Sequence, residues 1–161
     1  SEALWVYPIY PYWTVNITAT VRNEGNFTES FTVSAYYDSA LIESKSVSGL
    51  GLGEERTLDF IWYLTIVSPG NYTIKVEASG IPDETRTGDN VLFDGVVNVR
   101  LPGEVTGDGF VDVEDFAPLG AAWFKSRGEL GYDRRVDFDG SGFIDVADLA
   151  ILGAYWFHSW P

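Results

Sequence analysis

Residues 13–22 read W-T-V-N-I-T-A-T-V-R, in which Val15, Ile17, Ala19 and Val21 alternate with Asn16, Thr18, Thr20 and Arg22. A period of two marks a strand with one face buried and the other wet. N-E-G-N at 23–26 then supplies turn residues, and F-T-V-S-A-Y-Y at 31–37 resumes the alternation. Further strands are expected at 41–47, 56–64, 72–78 and 91–99, punctuated by G-L-G-L-G, S-P-G-N and T-G-D-N. Short strands at this spacing predict a mainly β protein built on an antiparallel β-sandwich of immunoglobulin type.

The bulk properties agree with a folded, exported chain. At 161 residues, 45% apolar and 16% aromatic, there is enough material for a real core. The formal net charge of -14 excludes a nucleic-acid partner, because phosphates would be repelled. There is no apolar run long enough for a membrane-spanning helix. Cysteine is absent, which removes disulfides and thiolate chemistry. Methionine is absent too, so the expectation is a processed product whose export signal has been removed, placed outside the cell or on its surface. The added absence of Gln is a weak pointer to a hot or oxidising habitat. Three N-x-T sequons, at Asn16, Asn26 and Asn71, among only six asparagines exceed the match of about one that chance yields. They predict N-linked glycans.

The segments V-N-I-T-A-T-V-R-N-E-G-N-F-T-E-S-F-T-V, G-L-G-L-G-E-E-R-T-L-D-F-I-W and P-G-N-Y-T-I-K-V-E-A resemble the cell-adhesion-related domains called CARDB. These are immunoglobulin-like modules of archaeal and bacterial surface proteins. The resemblance implies a first domain over residues 1–100, with an aromatic segment at its start. That start departs from the family, since Pro8 and Pro11 interrupt any long first strand.

A Pro102-Gly103 pair ends the last predicted strand, and the texture then changes. Gly109–Ser126 aligns without gaps to Gly142–Ser159, with twelve of eighteen positions identical at a spacing of 33. A repeat this short cannot bury its own apolar face, so the two copies are expected to pack together as a second domain, 101–161. Asp115 and Asp148 each head a helical stretch, with Phe116, Leu119, Gly120 and Trp123, and Leu149, Leu152, Gly153 and Trp156, spaced as an apolar stripe.

Ahead of each helix lies a twelve-residue pattern. Calcium takes six to eight oxygens, which such a loop supplies from positions 1, 3, 5, 7, 9 and 12, with Gly at 6. In the first copy these are Glu104, Thr106, Asp108, the Phe110 carbonyl, Asp112 and Asp115, with Gly109 at 6. In the second they are Asp137, Asp139, Ser141, the Phe143 carbonyl, Asp145 and Asp148, with Gly142 at 6. Position 8, Val111 or Ile144, suits a short pairing between the loops. An acidic turn before an N-capped helix would explain part of this. It does not explain why eight of the eleven acids beyond residue 100 fall on ligand positions.

The pattern resembles the dockerin type I repeat over residues 102–160. That resemblance implies a small all-α domain of two EF-hand-type calcium loop–helix units, two calcium ions per chain, and a cohesin-like surface protein as a partner. Here Glu104 and Thr106 replace the usual Asp and Asp/Asn, and positions 10 and 11 are Val113-Glu114 and Val146-Ala147 rather than a hydroxyl pair.

Nothing in the sequence reads as an enzyme. The single histidine, His158, has no nucleophile motif near it, and the loop carboxylates are committed to metal. The function expected is a non-catalytic, calcium-stabilised glycoprotein acting through protein–protein assembly, such as a subunit of an extracellular filament made of copies of itself. The candidates for assembly are the terminal aromatics Trp5, Tyr7, Tyr10, Tyr12, Trp13 and Trp160. An anchoring module for a cohesin-like receptor and a carbohydrate-binding module are the alternatives.

Overall fold

The alternation at 14–22 becomes strand β1 (Thr14–Arg22), which buries Val15, Ile17 and Ala19 and exposes Asn16, Thr18 and Thr20. This computed structural model describes residues 10, 13–65, 67–79, 84 and 86–159. Five further strands follow: β2 (Glu29–Tyr37), β3 (Ala40–Leu50), β4 (Glu55–Tyr63), β5 (Gly70–Ala78) and β6 (Val91–Val99). They form a two-stranded sheet, β1-β4, and a four-stranded sheet in the order β3-β2-β5-β6. Thr18 Oγ1 donates to Asp59 Oδ1 at 2.7 Å, and the Thr20 and Thr57 hydroxyls meet at 2.9 Å. Partner numbers fall as β1 rises, so β1 and β4 run antiparallel. β2 is antiparallel to both of its neighbours β3 and β5.

The described residues divide into two compact units. The first comprises Thr14–Trp62 and Tyr72–Val97. Its two sheets meet through aromatic rings: Trp62 of β4 stacks on Tyr37 of β2 at 4.6 Å between centroids, and Tyr72 of β5 stands edge-on to both, at 5.7 and 5.5 Å. Each such pair contributes about 0.5–1.5 kcal/mol beyond the area it buries. Around them Val33, Ala35, Val47, Phe60, Ile74 and Val76 complete an apolar core. Among the described residues, no helix is long and apolar enough to cross a membrane.

Asn23 fastens one end of this unit. Its Nδ2 donates to the carbonyls of Phe27 (2.7 Å) and Leu50 (2.8 Å), and its Oδ1 accepts from the Gly25 amide (2.8 Å). The side chain is buried, so water is a poor substitute. Asn23→Ala is expected to lose about 2–4 kcal/mol by urea denaturation, since two carbonyls would be left without donors. A loss under about 0.5 kcal/mol would mean that solvent takes over these bonds.

The second unit gathers Tyr10 and Trp13, Tyr63–Asn71 and the chain from Asn98 onward. Its regular elements after residue 100 are helices α1 (Val113–Ala121) and α2 (Val146–Ala154) and a single 3₁₀ turn, Arg134–Val136. The helices begin one residue after their true caps, Asp112 and Asp145. Asp115 and Asp148 occupy the third helical position and close a capping box with the cap backbone. The buried stripe differs from the predicted one: Asp115, Leu119 and Ala122 are buried, whereas Phe116 is exposed and Trp123 half-buried. The acids at 115 and 148 turn inward, where their oxygens hold loop amides.

The position-8 residues pair, though not with each other. Val111 N–H donates to the His158 carbonyl at 3.0 Å and its carbonyl accepts from Phe157 N–H at 2.9 Å. Ile144 does the same with Lys125 and Phe124, at 3.0 and 2.9 Å. Each loop is thus bridged to the segment leaving the other copy's helix. The exchange needs a sharp turn, and Phe124 (φ 58°) and Phe157 (φ 63°) supply it in the left-handed region that bulky residues rarely enter. Gly103 (φ 94°) lies beneath this crossing, where a Cβ would sit 3.0 Å from Val111 Cγ1 and 3.2 Å from Leu152 Cα.

Candidate metal centre

Gly142 at φ 88° and Gly109 at φ 86° make the sharp bend that the twelve-residue spacing requires at position 6. In the second loop this bend brings Asp137, Asp139 and Asp148 together, with one oxygen of each within 4.8 Å of the others. At an effective dielectric near 20, each pair of full charges that close costs about 3–4 kcal/mol. Asp137 and Asp148 are fully buried and Asp139 is exposed. Asp148 Oδ1 accepts the Phe138 amide at 2.7 Å and its Oδ2 the Asp145 amide at 2.9 Å. Burial holds the Asp148 carboxyl above the usual carboxylate range; those amides oppose the shift and the charge of Asp139 reinforces it.

Asp137 is the informative member. Its Oδ2 accepts from the Gly142 amide at 2.9 Å and from the Tyr132 hydroxyl. Burial and that bond to Asp137 raise the Tyr132 pKa. The other oxygen, Oδ1, is buried and has no hydrogen-bond partner among the described residues. An ionised oxygen without a donor in the interior carries a large desolvation cost. A hard cation would remove it, and an all-oxygen donor set of carboxylates and carbonyls suits calcium. The residues present therefore fit such an ion.

Several loop positions, Asp139 of the cluster included, also hold local structure. Asp139 Oδ1 accepts the Ser141 amide (2.9 Å), Ser141 Oγ bonds the Phe143 carbonyl (3.1 Å), and Asp145 Oδ1 caps Ala147 N–H (2.7 Å). In the first loop, Asp115 accepts amides from Val105 (2.7 Å), Thr106 (3.0 Å) and Asp112 (3.0 Å). Asp108 is exposed and accepts the Phe110 amide at 2.8 Å, while Asp112 caps Glu114 N–H at 2.8 Å. Thr106 Oγ1 donates to Glu104 Oε1 at 3.4 Å. Among the described residues, only the second loop gathers three acidic groups around one point.

Of the aromatic positions assigned to assembly, Trp5, Tyr7, Tyr12 and Trp160 lie outside the described residues. Tyr10 and Trp13 are buried in their own chain, at 0% and 8% exposure, so neither is available to a neighbour or to a sugar. Tyr10 stands edge-on to Phe138, loop position 2, at 5.2 Å, and its hydroxyl reaches the carbonyls of Glu104 (3.0 Å) and Arg135 (2.8 Å). Trp13 lies against Gly140, loop position 4, with the Arg134 guanidinium 4.5 Å from its ring centre. Reading the sequence missed this clamp on the loops. Asn16, Asn26 and Asn71 are all exposed, and His158 is exposed beside Tyr155 at 5.6 Å.

Comparison with known proteins gives a family match over residues 1–92, to CARDB. The chain belongs to the CARDB family. The matched region contains β1 to β5 and ends as β6 begins, so the loop–helix copies lie outside it. Two solved structures are 26% identical: a domain from Methanosarcina acetivorans described as part of a cell surface protein, and a CARDB domain from Pyrococcus furiosus in complex with di-metal ions. The alignments cover 57% of this chain and 82% of the first, and 56% and 78% for the second, with TM-scores of 0.46 and 0.48. A cohesin–X-dockerin complex chain from Acetivibrio cellulolyticus is 16% identical, with coverage of 88% and 96% and a TM-score of 0.32, too distant to carry an argument. No curated protein sequence matches the chain. CARDB membership accords with an immunoglobulin-like, mainly antiparallel β fold for the matched region.

Proposed function

We propose that this CARDB protein is a non-catalytic module of the cell exterior, stiffened by calcium in its second loop and acting through protein–protein assembly. The observation that carries the calcium reading is the buried, partnerless Asp137 Oδ1 beside Asp139 and Asp148. The ion would be held by those three carboxylates, and its chemistry there is charge neutralisation rather than catalysis. Support for assembly comes from β6, the last strand of its sheet, where Leu92, Phe93 and Val96 are 59%, 66% and 52% exposed. An apolar sheet edge suits strand addition by another chain. The exposed sequons Asn16, Asn26 and Asn71 support a glycoprotein.

Native mass spectrometry and negative-stain microscopy test this reading together. Material from the producing cell should show a calcium increment, lost in Asp137→Asn, together with hexose-bearing mass on at least one sequon peptide. Regular fibres or clusters should appear in the micrographs. Isolated particles would remove the assembly reading, and a mass indifferent to calcium would remove the metal.

A further inference from the structure

The two loops descend from one unit, yet they treat their position-1 acid differently. Glu104 is as buried as its counterpart requires, at 4% exposure, but neither of its oxygens is orphaned. Its Oε1 accepts from the Gly107 amide and the Thr106 hydroxyl. Its Oε2 lies 3.3 Å from Arg100 Nη1. That guanidinium is itself fastened: Nη1 donates to the Val105 carbonyl at 3.3 Å and Nε to Asn98 Oδ1 at 2.9 Å. Asn98 in turn donates to Asn71 Oδ1 at 2.7 Å. The group passes so close to the loop that a Cβ on Gly107 would sit 3.0 Å from Arg100 Nη2.

The repeat itself supplies the control. The residue 33 positions after Arg100 is Asp133, of opposite charge. Asp133 turns to Arg135, 2.7 Å away, and not to the loop. The basic group nearest Asp137 is Arg127, 65% exposed and 3.8 Å from Oδ2, the oxygen already satisfied by Gly142 and Tyr132. Asp137 Oδ1 is left to an ion, whereas Glu104 has a cation of its own chain.

We infer that Arg100 is the resident counter-cation of the first loop, occupying Glu104 so that the duplicated loops differ in their demand for metal. This rests on the calcium reading of the second loop. One calcium binds tightly per chain, and a second binds only by displacing Arg100 from Glu104. The longer side chain at position 1 follows from this arrangement, since Glu reaches a guanidinium anchored outside the loop.

Calcium titration of the intact ¹⁵N-labelled chain, followed at glycine amides, tests it. The first equivalent should move Gly142 and leave Gly107 in place. In Arg100→Gln, Gly107 should respond at about tenfold lower calcium than in the parent, the change expected for losing one charge-assisted bond to a buried acid. Arg100→Lys, which keeps the charge, should behave like the parent. Should Arg100→Gln not fold, Asn98→Ala, which only unfastens the guanidinium, should shift the Gly107 midpoint in the same direction by a smaller factor. Parallel saturation of Gly107 and Gly142 in the parent chain, or an unmoved Gly107 midpoint in the variants, overturns the inference. A silent Gly142 with a responsive Gly107 in Arg100→Gln would instead overturn the second-loop reading and leave Arg100 its role.

Discussion

Removing divalent cations with EDTA is expected to lower the melting temperature by about 10 °C. Binding to the folded state alone adds about 4 kcal/mol when free calcium is a thousandfold above Kd. In a chain of this size each kcal/mol moves the midpoint by about 2–4 °C. The physical source is the second loop, where buried Asp137 and Asp148 lie within 4.8 Å of Asp139 and one Asp137 oxygen has no donor. Scanning calorimetry with calcium and with EDTA reads the difference directly. Asp137→Asn should abolish most of it, by removing charge where calcium would sit. Identical melts in the two buffers would show that the carboxylates are accommodated without an ion.

Tyr10→Ala carries the second large effect, a loss of about 3–5 kcal/mol. The ring is 0% exposed, edge-on to Trp13 at 5.5 Å and to Phe138 at 5.2 Å. Its hydroxyl also serves the Glu104 and Arg135 carbonyls. Tyr10→Phe isolates that last contribution, expected at about 1–3 kcal/mol because buried carbonyls lose their donor. Urea denaturation of both variants separates packing from hydrogen bonding. A Tyr10→Ala chain as stable as the parent would mean that residue 10 merely covers the second unit without holding it.

Local regularities were legible in the sequence. The alternation of Val15, Ile17 and Ala19 with Asn16, Thr18 and Thr20 is a property of neighbours, and it survives as β1. The loop spacing likewise announced the bends at Gly109 and Gly142. Long-range pairings left no such mark. Tyr10 meets partners 94 and 125 residues away, and nothing around it in the chain hints at either. Its setting in an aromatic-rich tail pointed outward instead. The helix faces were read correctly at Leu119 and Leu152, but two buried positions were missed for a chemical reason: Asp115 and Asp148 are polar in any hydropathy pattern, yet both are fully buried. Their burial follows from accepting backbone amides, which a pattern of side-chain types does not encode. Arg100 escaped notice because its value lies in contrast with Asp133, visible only once the repeat is extended upstream of the loops.

The partition of the chain has a practical consequence. Leaving the first unit at Trp62, the backbone enters the second for Tyr63–Asn71, returns for Tyr72–Val97 and departs again at Asn98, after an earlier passage between Trp13 and Thr14. Four covalent threads therefore join the units among the described residues. A single proteolytic nick cannot release either one, and a fragment beginning near residue 101 would lack Tyr10 and Trp13, the lid over Phe138 and Gly140.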